Sequence, residues 1–147
     1  MPRNKSLKRL ENHQGFTLIE LLVVMIIIGL LAALVGPKMF GKVGKSRQQA
    51  AKAQIELFGT ALDAFRLDTG RYPTAAEGLE ALRNEGGINN WDGPYLPKEI
   101  PKDPWNNAYV YTSPGSHGDY DLQSYGRDGA AGGEGEDQDV NSWSSLE

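Results

Sequence analysis

Cysteine is absent from the 147-residue chain. That removes disulfide frameworks, thiolate nucleophiles, Cys-ligated zinc and iron–sulfur clusters together. Histidine is scarce too: His13 and His117 lie too far apart for a His-x-x-x-His zinc pattern. There is no G-x-S-x-G, P-loop or H-E-x-x-H, so no familiar catalytic constellation is offered. Nor is there a surplus of positive charge. With 15 Lys+Arg against 19 Asp+Glu, the net charge is −4, and a pI near 5.2 argues against general nucleic-acid binding. The length suggests one domain with a modest core.

The charge that is present is sorted into zones. Residues 1–15 are net +3, and residues 38–52 hold five bases (Lys38, Lys42, Lys45, Arg47, Lys52) and no acid. Residues 119–147 carry eight acids and only Arg127.

Between the two basic zones, Phe16 to Val35 form a 20-residue, almost wholly apolar run. As a helix it would be about 30 Å long, matching the hydrocarbon core of a bilayer. A cleaved secretory signal has the same outline, with a basic start and small residues such as Ala32, Ala33 and Gly36 at its end. Two residues speak against it. Glu20 costs about 2.5 kcal/mol or more inside a membrane unless paired, and a disposable signal has no use for it. Gly15 stands at the junction between the charged leader and the apolar run.

Gly15-Phe16-Thr17-Leu18-Ile19-Glu20 closely resembles the leader junction of type IV pilins and pseudopilins. The resemblance implies that a prepilin peptidase cuts between Gly15 and Phe16 and that Phe16 is then N-methylated. The helix would be kept and the basic leader lost. Cleavage would create an ammonium at Phe16, four residues from Glu20 and on the same helix face. In lipid, two such charges are costly alone and largely cancel when matched. In the family the glutamate is thought to meet the N-terminus of a neighbouring subunit, which makes it an assembly device. The blander reading is a protonated glutamate tolerated near the interface. Four bases before the run against five after it leave orientation balanced. A cytoplasmic N-terminus and periplasmic C-terminus are implied by the family.

Beyond Pro37, Ala51, Ile55, Phe58, Leu62 and Phe65 recur at spacings of three and four, with Leu57, Ala61 and Ala64 widening the stripe. This predicts an amphipathic helix ending near Thr69-Gly70. Gly36, Pro37, Gly41 and Gly44 predict a weak zone between the two helical stretches, kinked or continuous according to state. The basic run 38–52 reads as a solvated, membrane-proximal face, or as a contact for anionic headgroups or acidic neighbours. Thr74-Ala-Ala-Glu77 is a capping box, predicting a short helix through about Arg83 with Leu79 and Leu82 inward. Residues 88–107 read as an irregular loop. Strands are predicted at about Ala108–Thr112 and Tyr120–Tyr125, joined as a hairpin through Ser113–Asp119. His117 reads as a polar loop residue, and Trp91, Tyr95, Trp105 and Tyr109 as core rather than a ligand box.

The succession Gly70-Arg-Tyr-Pro-Thr-Ala-Ala-Glu-Gly-Leu-Glu-Ala-Leu82, then Trp91-Asp-Gly-Pro-Tyr-Leu96, Asp103-Pro-Trp105 and Tyr120-Asp-Leu122, resembles the major pseudopilins of type II secretion systems, the general secretion pathway protein G family. This implies an α+β, pilin-like fold: a long N-terminal helix, transmembrane in its first half, on a small antiparallel sheet. It divides the chain into a leader (1–15), an assembly helix (16–36), and a periplasmic stalk and globular part (37–147). It implies no enzymatic activity. Implied partners are further copies of the chain in a helical homopolymer, the prepilin peptidase, minor pseudopilins, the inner-membrane assembly platform and the inner membrane itself.

The acidic, glycine-rich segment YGRDGAAGGEGEDQDVN (125–141) supplies hard oxygen ligands of the kind calcium takes, six to eight of them at about 2.4 Å. Gly132 to Asp137 matches one copy of the G-G-x-G-x-D repeat, which works as a stacked array. On composition alone a disordered acidic tail and a metal site stand level. The family resemblance implies calcium here. Asp128 matches the family motif, Asp137 and Asp139 follow in the acidic segment, and the carbonyls of Tyr125 and Ala130 are further candidates. No role or order is predicted for residues 141–147. Two rivals stay open: a major type IV pilin, which should carry a C-terminal disulfide, and a membrane-anchored or secreted calcium-binding domain.

Overall fold

The computed structural model describes residues 15–146. The leader up to residue 14, with His13, lies outside the described residues, as does residue 147. Helix α1 spans Leu18–Thr69, and the chain divides into two compact units after Met39.

In the first unit, every side chain from Phe16 to Val35 is exposed, from Phe16 at 89% to Val23 at 47%. An 18-residue window of α1 has a mean hydropathy of 3.1, and α1 is the one helix among the described residues long and apolar enough to cross a membrane. Pro37 lies inside α1. The expected weak zone at residues 36–44 is helical throughout, because a single proline removes one N–H donor and its neighbours can carry the helix past it.

In the second unit, the stripe read from periodicity is the core face. Ala51, Ile55, Phe58, Leu62 and Phe65 are all buried, with Ala61 beside them. Leu57, expected to widen the stripe, is 58% exposed instead: two residues from Ile55, it points about 200° around the helix. Gly70 closes α1 at φ +79°, its N–H donating to the Arg66 carbonyl at 2.8 Å, the left-handed exit that favours glycine.

The capping box forms, but it caps a turn. Thr74 N–H donates to Glu77 Oε2 at 2.8 Å and Glu77 N–H to Thr74 Oγ1 at 3.2 Å. Gly78, at φ +61°, then breaks the helical path, and the predicted helix through Arg83 shrinks to a 3₁₀ turn at Leu79–Leu82. That turn still buries Leu79, Ala81 and Leu82.

Residues 88–107 contain no helix or strand, as expected, and insert Ile88 and Leu96 into the core. Strands β1 (Val110–Thr112) and β2 (Asp121–Ser124) pair antiparallel, Tyr111 opposite Leu122. Both are shorter than predicted. A third strand, β3 (Val140–Asn141), pairs with β2, Ser124 opposite Val140, giving the order β1-β2-β3.

One apolar cluster joins α1, the 3₁₀ turn, Leu96, Tyr109, Leu122 and Val140. Phe58 meets Tyr109 edge-on at 5.2 Å and Phe65 meets Tyr95 at 5.5 Å. Trp91, Tyr95 and Trp105 pack against this cluster, and Trp91 Nε1 donates to the Ala81 carbonyl at 2.7 Å. The aromatics are core. Truncating Phe58 or Phe65 to alanine would cost about 3–5 kcal/mol.

Candidate functional site

Two regions carry the expected functional residues, one in each unit. In the first, Gly15 and Phe16 precede α1, and among the described residues nothing lies within 4 Å of where a Cβ at Gly15 would stand. Just beyond this junction, Thr17 and Glu20 close a reciprocal cap. Glu20 Oε2 accepts from both the N–H and the Oγ1 of Thr17 at 2.8 Å, and Glu20 N–H donates to Thr17 Oγ1 at 3.3 Å. Thr-x-x-Glu is a legible capping signature, and Thr17 had no role in the sequence reading. In the uncut chain residue 16 has a peptide amide rather than an ammonium, so the cap is the partner available to Glu20.

In the second unit, the acidic segment folds back as a loop against α1. The amide of Gln48 donates to the Gly135 carbonyl. Lys52 Nζ donates to the carbonyls of Asn141 at 2.8 Å and Ser144 at 2.6 Å. Gly44, one helical turn before Gln48, is buried, and a Cβ there would come 2.6 Å from Glu136 Cγ. Residues 44, 48 and 52 share a helix face, and that face carries the loop. Lys52, read as part of a solvated or neighbour-facing basic run, is a tether within its own chain.

The tail expected to lack order is held as well. Ser142 N–H donates to the Leu122 carbonyl at 2.8 Å. The His117 ring stacks on Trp143, centroids 4.0 Å apart and 3° from parallel, while its Nδ1 lies 3.0 Å from Asp121 Oδ2.

The loop's entrance rests on a residue the sequence reading left unassigned. Asp103 is buried. Its Oδ1 accepts from the N–H groups of Trp105 at 3.0 Å and Asn107 at 2.8 Å; its Oδ2 accepts from Ser124 Oγ at 2.5 Å. Ser124 Oγ in turn accepts from Gly126 N–H at 3.2 Å, and Asn107 Nδ2 donates to the Gly126 carbonyl at 2.9 Å. Gly126 sits at φ +68°, where a Cβ would come 2.7 Å from the Glu136 carbonyl oxygen.

Of the expected calcium ligands, Asp128 Oδ1 accepts from Ala130 N–H at 3.1 Å, and Asp139 Oδ2 from Gly132 N–H at 3.0 Å. Tyr125, just ahead of Gly126, accepts at its phenol from Gln123 Nε2 at 3.0 Å. Asp137 is taken up differently. Its two oxygens accept from Arg127 Nε and Nη2 at 2.9 and 3.0 Å, and Arg127 Nη1 reaches Glu136 Oε2 at 3.3 Å. Among the described residues, no three His, Asp or Glu side chains gather closely enough to hold a metal ion. The donor set nonetheless suits a hard cation. Asp139 Oδ1 is buried without a hydrogen-bond partner, and an unmatched buried oxygen is costly. Glycines at positive φ (Gly126, Gly129, Gly132, Gly133, Gly135) give the loop its sharp turns.

Residues 38–143 match the family model described as type II secretion system (T2SS), protein G. The chain belongs to the type II secretion system protein G family. Residues 11–36 match the prokaryotic N-terminal methylation motif, which covers the Gly15–Phe16 junction. Similar relatives named type II secretion system core protein G include those of Vibrio cholerae serotype O1, 43% identical over 93% of this chain and 96% of the relative, and Pseudomonas aeruginosa, 42% identical over 90% and 96%. The major pseudopilin from the type 2 secretion system of enterohaemorrhagic Escherichia coli, solved by crystallography, superposes with a TM-score of 0.60 at 33% identity, covering 73% of this chain and 95% of that one. Protein G membership places the chain with structural subunits rather than enzymes.

Proposed function

We propose that this chain is the major pseudopilin of a type II secretion system. It would be the repeating subunit of a periplasmic pseudopilus whose growth drives folded proteins across the outer membrane. The observation that carries the reading is an apolar run, Phe16 to Val35, helical from Leu18 and with every side chain exposed, which opens on Gly15-Phe16-Thr17-Leu18-Ile19-Glu20 and belongs to a protein G chain. Such a helix needs lipid around it, or other copies of itself.

The precursor sits in the inner membrane as a single-pass protein with its globular part in the periplasm. A prepilin peptidase cuts between Gly15 and Phe16 and methylates Phe16. Cleavage gives Glu20 a second possible partner, because the new ammonium competes with Thr17 for the carboxylate. In lipid the pair neutralises a costly charge. In the fibre the N-terminus of one copy meets Glu20 of its neighbour and sets the register. Minor pseudopilins and the inner-membrane assembly platform are the further partners.

Calcium is the structural cofactor of this reading. Asp128, Asp137 and Asp139, with the carbonyls of Tyr125 and Ala130, would hold it. Bound there, it would cross-link the acidic loop and so complete the periplasmic face that other copies meet. The buried, unpartnered Asp139 Oδ1 supports this assignment.

The mature N-terminus tests the pathway. Mass spectrometry of the chain purified from the cell envelope should find N-methyl-Phe16 at its start. A start near residue 37 would mean ordinary secretion and reject the proposal.

A further inference from the structure

The cation that organises the acidic loop in this structure is a side chain. Arg127 binds Asp137 with a two-pronged fork at 2.9 and 3.0 Å, and touches Glu136 at 3.3 Å. The Asp137 hydrogen bond, the Asp137 and Glu136 charges and, least, that of Asp128 hold the guanidinium proton more firmly than in a free arginine. Two of the loop's carboxylates, those of Asp137 and Glu136, therefore converge on one guanidinium, and it is the only base between residues 119 and 147.

A guanidinium fork and a calcium ion make incompatible demands on Asp137. The fork places a donor on each carboxylate oxygen, whereas calcium needs such oxygens as direct ligands at about 2.4 Å. Two cations on the same carboxylate edge would also repel each other. The backbone does not depend on the fork. Arg127 N–H donates to the Glu136 carbonyl at 2.9 Å, and Gly126 is clamped by Ser124 and Asn107. The Arg127 side chain is more than half exposed, so it can leave for solvent while the loop frame stays in place.

We infer that Arg127 is a built-in counter-ion of the loop, holding at Asp137 the place that calcium takes, so that metal entry displaces it. The inference rests on the calcium reading above. Arg127 neutralises the loop's carboxylates and adds to its stability when calcium is low, weakens calcium binding in proportion, and becomes a free surface cation once the metal is in.

The test compares the full chain, purified in detergent, with Arg127→Gln and Arg127→Lys, by calorimetric titration with calcium chloride and by thermal unfolding with EGTA or saturating calcium. Arg127→Gln should melt lower than wild type in EGTA, bind calcium roughly five- to tenfold more tightly, and melt with wild type in saturating calcium. Arg127→Lys keeps the charge but loses the fork, and should also bind more tightly than wild type. It decides the matter if Arg127→Gln does not fold. Wild-type binding with equal or weaker affinity in the variants would overturn the inference and leave the calcium reading standing. Binding by no form would overturn both. Binding by the variants but not by wild type would support the displacement.

Discussion

Lys52 on α1 donates its ammonium to the carbonyl of Asn141, 89 residues away, at 2.8 Å, and reaches Ser144 with the same nitrogen at 2.6 Å. This one side chain joins the second strand pair to the helix. Val140, its neighbour in β3, is buried in the same cluster as Phe58 and Leu122.

Replacing Lys52 with methionine keeps most of the stem and removes both charge-assisted bonds. We expect a loss of about 2 kcal/mol in urea denaturation, with faster protease cleavage near residue 141. Unchanged stability and cleavage would mean that the tail is held by β3 pairing alone.

Glu77 has a pH signature. The hydrogen bonds from Arg71, at 2.7 and 2.8 Å, outweigh partial desolvation and, helped by Thr74, lower its carboxyl from the usual range to about 2. A depressed folded pKa contributes stability above the unfolded value near 4.3, which is lost as pH falls toward about 2. Glu77→Ala should cost about 1 kcal/mol at pH 7, the scale of a lost cap on a partly exposed ion pair. The gap from wild type should narrow between about pH 4.5 and 2. A gap that is constant with pH would contradict this.

Gly126 tests how tightly the loop entrance is built. At φ +68°, with the Glu136 carbonyl oxygen 2.7 Å from where a Cβ would stand, Gly126→Ala combines backbone strain with a clash against main chain. The expected cost exceeds about 1 kcal/mol, read as a lower Tm. A tolerated alanine would show that the loop entrance is looser than these contacts indicate.

The calcium reading has its own measurement. At one hundred times its dissociation constant, a ligand that binds only the folded chain stabilises it by about 2.7 kcal/mol. Calcium should therefore raise the Tm of the full chain, and Asp139→Asn or Asp128→Ala should reduce the rise. No rise in either wild type or Arg127→Gln would reject the site.

Periodicity carried much of the second unit: the Ala51-to-Phe65 stripe, the exit at Gly70 and the β1–β2 hairpin are local patterns of period 3.6 or 2. What escaped was non-local. β3 is two residues long and owes its existence to pairing with β2 and burial of Val140, neither of which leaves a repeat in the sequence. The Thr74 capping box was legible, but Gly78 decides how far a helix can run from it, and glycine is a weak stop signal until its φ is known. Lys52 looked like a charge available to outside partners, and Arg127 was only the lone base of an acidic zone. The chain's own return path brings the carbonyls of Asn141 and Ser144 to Lys52 and Asp137 to Arg127. The Thr17–Glu20 cap is the exception, since its spacing could have been read directly.

The mature chain is expected to polymerise. The direct measurement is electron microscopy and sedimentation of sheared envelopes from cells producing the chain with its peptidase and assembly platform. Filaments built of this chain are expected from wild type, whereas Glu20→Ala should be cut after Gly15 yet remain in the membrane fraction without filaments. Wild-type chain that is cut after Gly15 and stays monomeric in the membrane would contradict the account.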